Sequence, residues 1–228
     1  MKFYRVGGCV RDKLMGIKSK DTDIAVECNS FEEMTNEIKK RVGVIYLEKP
    51  EFLTARAKLN GEVMDFAMCR GESNYSDGRR PDKVIPTNNI ILDLARRDFT
   101  INAIAENFES KEIIDPFGGQ KDIENKLIRC VGSATDRFSE DSLRLIRAIR
   151  FSITKGFTLD NNIISALNDY IVVTGIINVS KERIREELLK CFAHDTYLTL
   201  FTLYKFPLLI DRLFDNNELW LKPTLEVK

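Results

Sequence analysis

The chain has 228 residues, of which 43% are hydrophobic and 31% charged, and its 35 basic and 35 acidic side chains leave no formal net charge. This composition is typical of a globular protein with its own core, includes no apolar run near the ~20 residues of a membrane span, and gives no bulk sign of a nucleic-acid partner. The N-terminal residues lack a signal-peptide pattern and the five scattered cysteines lack CxxC spacing, so we expect a cytoplasmic protein without disulfides or a zinc site.

The chain begins with alternating strand and helix patterns. Residues 2–6 predict a strand, and Gly7 and Gly8 predict a tight turn that leads into a helix. Gly16 ends this helix, since a glycine readily adopts the left-handed conformation that closes a helix. Residues 21–27 predict the next strand.

A capping box predicts the second helix, with Ser30 as N-cap and Glu33 reaching back. Three strand patterns follow, and a turn at Asn60-Gly61 joins the last two. These patterns cover residues 44–48, 52–59 and 62–68.

The remainder of the chain changes from a loop to helices. Residues 70–92 predict a long polar loop, which is a length usually reserved for function or disorder. A helix is expected from about Gln120, and the second half is expected to be helical, with Ser139 and Ser180 as N-caps.

Two aspartates at the start of the second strand pattern raise an electrostatic question. Asp21 and Asp23 would face the same side of a strand, roughly 7 Å apart. Their charges need compensation, and the simplest is a pair of Mg²⁺ ions, which prefer oxygen ligands and substrate phosphates. Asp65 joins this site if its strand neighbours the first. The alternative is a pair of exposed acids at a strand end, because a DxD pattern alone is a weak signal.

The turn before these acids favours a phosphate-binding site. The strand–Gly7-Gly8–helix pattern exposes backbone N–H groups at a helix N-terminus, and Arg11 on the first turn can add a phosphate contact. Histidine occurs once, as His194, which we expect to be a partly buried structural residue. Carboxylates and metal, and not a histidine base, are therefore expected to carry any catalysis.

Five stretches in order resemble the motifs of one enzyme family. The chain is similar to the class II tRNA nucleotidyltransferases (CCA-adding enzymes) and bacterial poly(A) polymerases, within the DNA polymerase β-like nucleotidyltransferase superfamily. The resemblance implies an α+β fold, with a catalytic head of mixed sheet and helices over residues 1–130 and an all-helical neck and shortened body over 131–228. The matching stretches are residues 4–26, 92–105, 113–132, 137–151 and 179–190.

The stretch 137–151 resembles the family's nucleobase-template motif. Asp141 and Arg144 are three residues apart, which would place them on one helix face. An Asp accepts from the amino group of cytosine or adenine and an Arg donates to the adjacent ring nitrogen, whereas uracil and guanine reverse this pattern. The pair can therefore select CTP and ATP without a nucleic-acid template. The alternative is a surface ion pair.

The resemblance also implies roles for other polar residues. Arg97 and Asp98 would bind phosphate and the ribose 2′-OH, with a helix-start ion pair as the alternative. The loop containing Arg70, Asp77, Gly78 and Arg79 resembles the segment that switches from C to A addition, although solvent exposure alone would explain it equally well. The remaining expected substrate-binding residues are Asn102, Arg147 and Arg150.

The resemblance implies a template-independent RNA nucleotidyltransferase that adds CMP, AMP or both to an RNA 3′ end and depends on Mg²⁺. Its expected partners are ATP, CTP and RNA, with tRNA as the expected acceptor, and no membrane. A poly(A)-type or A-only polymerase and a non-catalytic RNA-binding relative remain alternatives. Residues 193–228 match no motif, and the sequence leaves open whether a second copy or a helper chain replaces the tail that family members use to grip tRNA.

Overall fold

The computed structural model describes residues 1–19, 21–41, 43–59, 61–73 and 83–215. These residues form two compact units, one ending at Asn125 and the other beginning at Lys126. The sequence placed a boundary between residues 130 and 131, close to this division.

The first unit is built on a seven-stranded sheet with the order β3-β4-β5-β2-β1-β8-β9. The pairing of β2 with β5 is parallel and the other neighbours are antiparallel, so the predicted mixed sheet is confirmed. The strands are β1 (Lys2–Val6), β2 (Asp23–Glu27), β3 (Val44–Lys49), β4 (Thr54–Leu59), β5 (Glu62–Met68), β8 (Ala105–Asn107) and β9 (Ile113–Ile114).

Four helices and a separate strand pair complete the first unit. A short antiparallel pair, β6 (Arg70–Ser73) with β7 (Lys83–Pro86), lies outside the main sheet. The predicted loop over 70–92 is therefore wrong at its described ends, and its central residues, including Asp77, Gly78 and Arg79, lie outside the described residues. The helices are α1 (Gly8–Leu14), α2 (Phe31–Lys40), α3 (Ile90–Ala95) and α4 (Gly119–Glu124).

One face of the sheet forms the core of the first unit. Ile24, Val26 and Phe66 are buried in a cluster with Met34 and Ile38 from α2. The predicted capping box starts this helix: the Glu33 backbone N–H donates to Ser30 Oγ at 3.1 Å, and Glu33 Oε2 accepts from the backbone N–H of residue 29. Since strand side chains alternate between faces, the residues next to Ile24 and Phe66 point away from this core.

The start of β2 differs from the prediction. The strand begins at Asp23, so Asp21 lies in the segment before it and not on the strand. The backbone carbonyl of Thr22 still accepts from the Asp65 N–H at 3.0 Å, which holds the segment beside β5. The argument that strand alternation brings the two aspartates to one face therefore does not apply to Asp21.

The second unit is mainly helical. The predicted N-cap position Ser180 is confirmed for α9, whereas Ser139 lies inside α5, so the second predicted cap is wrong. The chain breaks at Asp141 and starts a new helix at Ser142, which takes the N-cap position instead. The helices are α5 (Ala134–Glu140), α6 (Leu143–Lys155), α7 (Asn161–Leu167), α8 (Tyr170–Thr174), α9 (Lys181–His194), α10 (Thr196–Tyr204) and α11 (Pro207–Ile210).

The expectation of an all-helical second domain is wrong in one detail. Strand β10 (Leu127–Ile128) pairs in parallel with β11 (Thr158–Leu159). Gly156 ends α6 with φ 65°, and β11 follows two residues later to pair with β10. This pairing satisfies backbone groups that would otherwise be buried without partners.

Three smaller expectations concern the exposure of His194, the state of the cysteines and the presence of a membrane-spanning helix. His194 is exposed at the end of α9 and is not a partly buried residue. The five cysteines are buried as thiols. Within the described ranges, no helix has the length and apolar character needed to cross a membrane.

Candidate active site

A row of charged residues crosses the sheet of the first unit on the face away from the core. Asp23 of β2 pairs in register with Asp65 of β5, and Asp65 pairs with Arg56 of β4. Arg56 donates to both oxygens of Asp65, from Nε at 2.7 Å and from Nη2 at 2.6 Å. Asp65 therefore lies between an opposite charge and a like charge, and the predicted neighbourhood of its strand with β2 is confirmed.

Within this row, the surroundings of Asp23 disfavour the ionised form of its carboxyl. Burial raises the pKa of its carboxyl, and the neighbouring carboxylates Asp65 and Asp21 raise it further, although Arg97 and Arg56 oppose them. The net pKa lies above the usual value for an aspartate. A divalent cation would reverse this balance, since an adjacent positive charge favours the ionised carboxyl.

A cavity of 320 Å³ opens beside Asp23 and Asp65. Ala25 and Ala67 contribute to its lining, and their small side chains leave room above the sheet. The lining combines three acids, Asp23, Asp65 and Asp93, with two arginines, so an anionic ligand here would need a cation beside the acids. The basic lining residues are Arg96 and Arg97.

Arg97 is positioned by a buried acid that the sequence analysis missed. Asp93 accepts from Arg97 Nη2 at 2.9 Å and from Arg96 Nη2 at 2.8 Å. Burial raises the pKa of the Asp93 carboxyl, but the two arginines outweigh burial and hold it below its usual value. The spacing of Asp93 to Arg96 and Arg97, at i+3 and i+4, was a signal that could have found this group.

One polar atom of Arg97 has no partner. Its buried Nε makes no hydrogen bond within the described part of the chain, while Nη1 contacts the Asn102 carbonyl oxygen at 3.5 Å. A buried donor without an acceptor costs about 1–3 kcal/mol.

Gly7 makes the close approach of Arg97 possible. Its backbone has φ 69° and ψ −130°, and a Cβ at this position would lie 2.9 Å from Arg97 Nη1. Gly8 differs, because its φ is not in the left-handed region and a Cβ there would lie 3.5 Å from Arg11 Nη2. The predicted turn is therefore present. Glycine is needed at its first position because a Cβ there would crowd Arg97.

Arg11 and Asn102 form a buried hydrogen-bonded chain with Asp98. Arg11 Nη1 donates to Asn102 Oδ1 at 2.6 Å, and Asn102 Nδ2 donates to Asp98 Oδ1 at 3.1 Å. Arg11 also donates to Asp12 Oδ1 from Nε and Nη2. In this arrangement Arg11 positions the segment that contains Asp98, and a direct phosphate contact by Arg11 remains a prediction.

The carboxylates of this site can supply only some of the oxygen ligands that Mg²⁺ requires. Among the described residues, no group of three His, Cys, Asp or Glu side chains converges into a metal site. Asp65 is held by Arg56, which leaves Asp21 and Asp23 as the two acids best suited to an ion. Mg²⁺ commonly takes one or two carboxylates and completes its shell with water and phosphate oxygens, so this donor set is chemically adequate.

In the second unit the side chains of Asp141 and Arg144 have different partners, although the Arg144 backbone N–H donates to the Asp141 carbonyl oxygen at 2.9 Å. Asp141 Oδ1 accepts from the Leu143 backbone N–H at 3.1 Å, and its Oδ2 accepts from Arg183 Nη2 at 3.2 Å. Arg144 is buried and donates to Glu140 Oε2 at 2.7 Å. The alternative of a simple ion pair between these two residues is therefore not what the structure has, because the chain breaks between α5 and α6.

Arg150 and Arg147 lie further along α6. Arg150 Nε donates to the buried Glu187 of α9 at 2.5 Å, and its guanidinium lies 4.1 Å from the Phe151 ring centroid. Arg147 lies 5.4 Å from the same ring. The pair of Arg150 and Glu187 joins two helices of one unit, which is a structural role that the sequence analysis did not consider.

A match to a protein-family model shows to which family the chain belongs. Residues 3–129, more than half of the chain, match the model described as the poly A polymerase head domain. The chain belongs to this family. The predicted resemblance is confirmed, and the Gly7-Gly8 turn, Asp23, Asp65 and Arg97 all lie within the matched range.

Curated relatives extend the similarity beyond the family model. The CCA-adding enzyme of Oceanobacillus iheyensis is 40% identical over 189 residues, which are 83% of this chain and 45% of that enzyme. The CCA-adding enzyme of Lactobacillus delbrueckii is 41% identical over 82% of this chain and 45% of its own length. The chain therefore spans about half the length of the curated relatives it matches.

Solved structures of the same type share the fold. The Bacillus stearothermophilus CCA-adding enzyme in complex with CTP has a TM-score of 0.73 and 31% identity, over 92% of this chain and 48% of that one. The Thermotoga maritima CCA-adding enzyme complexed with tRNA has a TM-score of 0.76 and 30% identity, over 97% of this chain and 50% of that one.

The Gly7 geometry generates a prediction with a matched control. Gly7→Ala should lower the free energy of unfolding by about 1–3 kcal/mol, because the alanine would need a strained backbone and would displace Arg97. Gly8→Ala should change it by less than about 1 kcal/mol, since helix α1 tolerates alanine. Chemical denaturation of both variants checks this, and equal losses would contradict the steric role assigned to Gly7.

The pair of Glu187 and Arg150 generates a pH prediction. Burial raises the pKa of the Glu187 carboxyl, but Arg150, Lys190 and Arg147 outweigh it and lower the pKa below its usual value. The ionised carboxylate therefore stabilises the fold above the unfolded-state pKa of about 4.3, and this contribution is lost as the pH falls through the lower folded-state pKa.

Glu187→Gln should accordingly cost about 2 kcal/mol of unfolding free energy at neutral pH, with the cost shrinking in acid. The neighbouring exposed residue provides the control, Glu186→Gln, which should change stability little at either pH. Denaturant titrations at pH 7 and at acidic pH measure both. A cost for Glu187→Gln that does not depend on pH would contradict the ion-pair explanation.

Proposed function

We propose that this chain is the catalytic part of a template-independent RNA nucleotidyltransferase that adds CMP, AMP or both to an RNA 3′ end, with tRNA as the preferred acceptor. The observation that carries the proposal is the register of Asp23 with Asp65 beside a cavity whose other wall holds Arg97. Membership of the family and the similarity to CCA-adding enzymes support it.

In this proposal the RNA 3′-OH attacks the α-phosphorus of a nucleoside triphosphate. A new phosphodiester bond forms, the bond between the α- and β-phosphates breaks, pyrophosphate leaves, and the hydroxyl proton goes to solvent. Asp21 and Asp23 would hold Mg²⁺, which would supply the positive charge that offsets the leaving pyrophosphate and favours ionisation of the attacking hydroxyl. Arg97 binds a phosphate oxygen through its guanidinium, which lines the cavity beside Asp23, and Asp98 accepts from the ribose 2′-OH.

We assign nucleotide choice to Asp141 and Arg144 in the second unit. A carboxylate accepts from the exocyclic amino group of cytosine or adenine, and a guanidinium donates to the neighbouring ring nitrogen. Arg183 and Glu140 position these two side chains through the contacts at 3.2 and 2.7 Å. In this arrangement the second unit serves as the neck of the family, and Arg147 and Arg150 support the base-reading helix.

Two alternative functions remain, and each differs from the proposed function in one respect. A poly(A)-type or A-only polymerase would share the carboxylates and use ATP alone. A non-catalytic RNA-binding relative would gain nothing from the charge repulsion around Asp23, which raises its pKa and disfavours its ionised form. The relatives are named CCA-adding enzymes, which favours addition of both nucleotides.

The carboxylates provide the first test of this proposal. Asp21→Ala and Asp23→Ala should each lower CTP and ATP incorporation into an RNA that lacks its terminal CCA by at least about a thousandfold, since each removes a ligand of an ion worth several kcal/mol to the reaction. Both variants should remain folded.

A second readout does not depend on activity. Mg²⁺ should raise the unfolding temperature of the wild-type protein and have little effect on Asp23→Ala. Glu51→Ala removes an exposed acid of the same unit and should keep both incorporation and the Mg²⁺ response. Near-normal incorporation by either aspartate variant, with unchanged Mg²⁺ dependence, would refute the assignment.

The base reader provides the next test. Asp141→Ala removes the acceptor for the amino group and the repulsion against a carbonyl, so efficiency with CTP and ATP should fall while relative use of UTP or GTP rises. The expected change in selectivity is roughly ten- to a hundredfold. Steady-state incorporation of all four nucleotides measures it.

Because Asp141 also accepts from the Leu143 N–H, its loss costs some helix stability. Asp160→Ala removes a comparable N-cap, the one that accepts from the Asn162 N–H at 2.9 Å on α7. This control should lose a similar amount of stability, about 1 kcal/mol, and keep the wild-type nucleotide profile. An unaltered profile for Asp141→Ala would refute the base-reading role even if the enzyme proved to be a nucleotidyltransferase.

A further inference from the structure

A second cavity lies on the same face of the sheet, on the other side of Asp65. It has a volume of 230 Å³, and Asp65 and Thr54 line both this cavity and the one beside Asp23. The other lining residues come from β3 and β4 and include two cations and an exposed leucine. They are Leu47, Lys49, Ala55 and Arg56.

Strand register explains why these residues meet. Leu47 pairs with Arg56, and Arg56 with Asp65, so the row that contains the catalytic acids continues across β4 to β3. Lys49 pairs with Thr54 two residues along, on the same face. With neighbouring strands about 4.8 Å apart, Arg56 lies only two strands, about 10 Å, from Asp23.

The second cavity carries more positive than negative charge. Arg56 and Lys49 are both exposed, and Asp65 is the one acid among the lining residues. Arg56 uses Nε and Nη2 for Asp65, while its Nη1 makes no hydrogen bond within the described ranges. A guanidinium has five N–H donors, so Arg56 can hold Asp65 and a phosphate oxygen at the same time.

The order of the strands indicates from which side of Asp23 each substrate approaches. The Gly7-Gly8 turn follows β1, which lies on the opposite side of β2 from β5 and β4. In a phosphoryl displacement the attacking and leaving oxygens lie roughly in line on opposite sides of the phosphorus. A triphosphate on the Gly7 and Arg97 side of Asp23 therefore requires the RNA 3′-OH to arrive from the Asp65 side.

We propose that the cavity between β3, β4 and β5 is the binding subsite for the 3′-terminal nucleotide of the RNA, with Arg56 and Lys49 on its backbone phosphates and Leu47 against its sugar or base. This inference rests on the proposed function for the direction of transfer. Arg56 is then a positioning residue for Asp65 as well as a phosphate ligand, and Lys49 is a phosphate ligand alone.

Kinetics with separate substrates test the subsite. Arg56→Ala and Lys49→Ala should each raise the KM for RNA roughly tenfold and leave the KM for CTP within about twofold. Arg56→Lys should recover part of the loss, since it keeps the charge without the paired donors. Lys58→Ala is the matched control, because Lys58 is exposed on the same face of β4 but pairs with Val63, away from Asp65.

Binding of the RNA without nucleotide separates this inference from the proposed function. By fluorescence anisotropy, each of the two alanine variants should weaken RNA binding and lower the slope of log K against log salt by about 0.7, the value for one single-strand phosphate. If wild type binds RNA in this way but incorporates no nucleotide, the proposed function fails and the subsite stands. If wild type incorporates normally and both variants keep the wild-type KM for RNA, or raise the KM for CTP equally, the subsite is refuted.

Discussion

The register between β2 and β5 is the constraint on which the site depends. It places Asp23 directly beside Asp65 on one face of the sheet while Ile24 and Phe66 pack with α2 on the other. A slip of one residue would turn the carboxylates into the apolar core, where an unpaired charge is very costly. The hydrophobic alternation of both strands therefore fixes the position of the acids more firmly than any contact of the acids themselves.

Two arginines of the first unit lie beside the row of acids formed by Asp23 and Asp65 and compensate its negative charge. Arg56 neutralises Asp65 from one side, and Arg97, anchored by the buried Asp93, lies on the other. Gly7 leaves the space that Arg97 occupies. The pKa of Asp23 remains above its usual value, mainly through desolvation and also through the nearby carboxylates Asp65 and Asp21. Under the proposed function, a cation beside Asp23 would complete this alternation of charges.

Local sequence patterns predicted the features that depend on neighbouring residues. The capping box at Ser30 and the start of α9 at Ser180 follow from short-range chemistry. The conditional placement of Asp65 beside Asp23 was confirmed, but only the fold could show that β5 crosses to pair with β2. Asp21 and Ser139 were misplaced because the strand starts two residues late and the helix breaks at Asp141. Arg56 was missed because its role depends on strand register, and Asp93 because its burial does.

A double-mutant cycle between Asp23 and Asp65 tests the central claim most directly. The unfolding free energies of wild type, Asp23→Asn, Asp65→Asn and the double variant give the coupling between the two carboxylates, free of the lost Arg56 contact. We predict an unfavourable coupling of a few tenths to about 1 kcal/mol without divalent cations and a clearly smaller one in Mg²⁺. No coupling, or one that Mg²⁺ leaves unchanged, would contradict the account in which a cation beside Asp23 relieves its repulsion with Asp65.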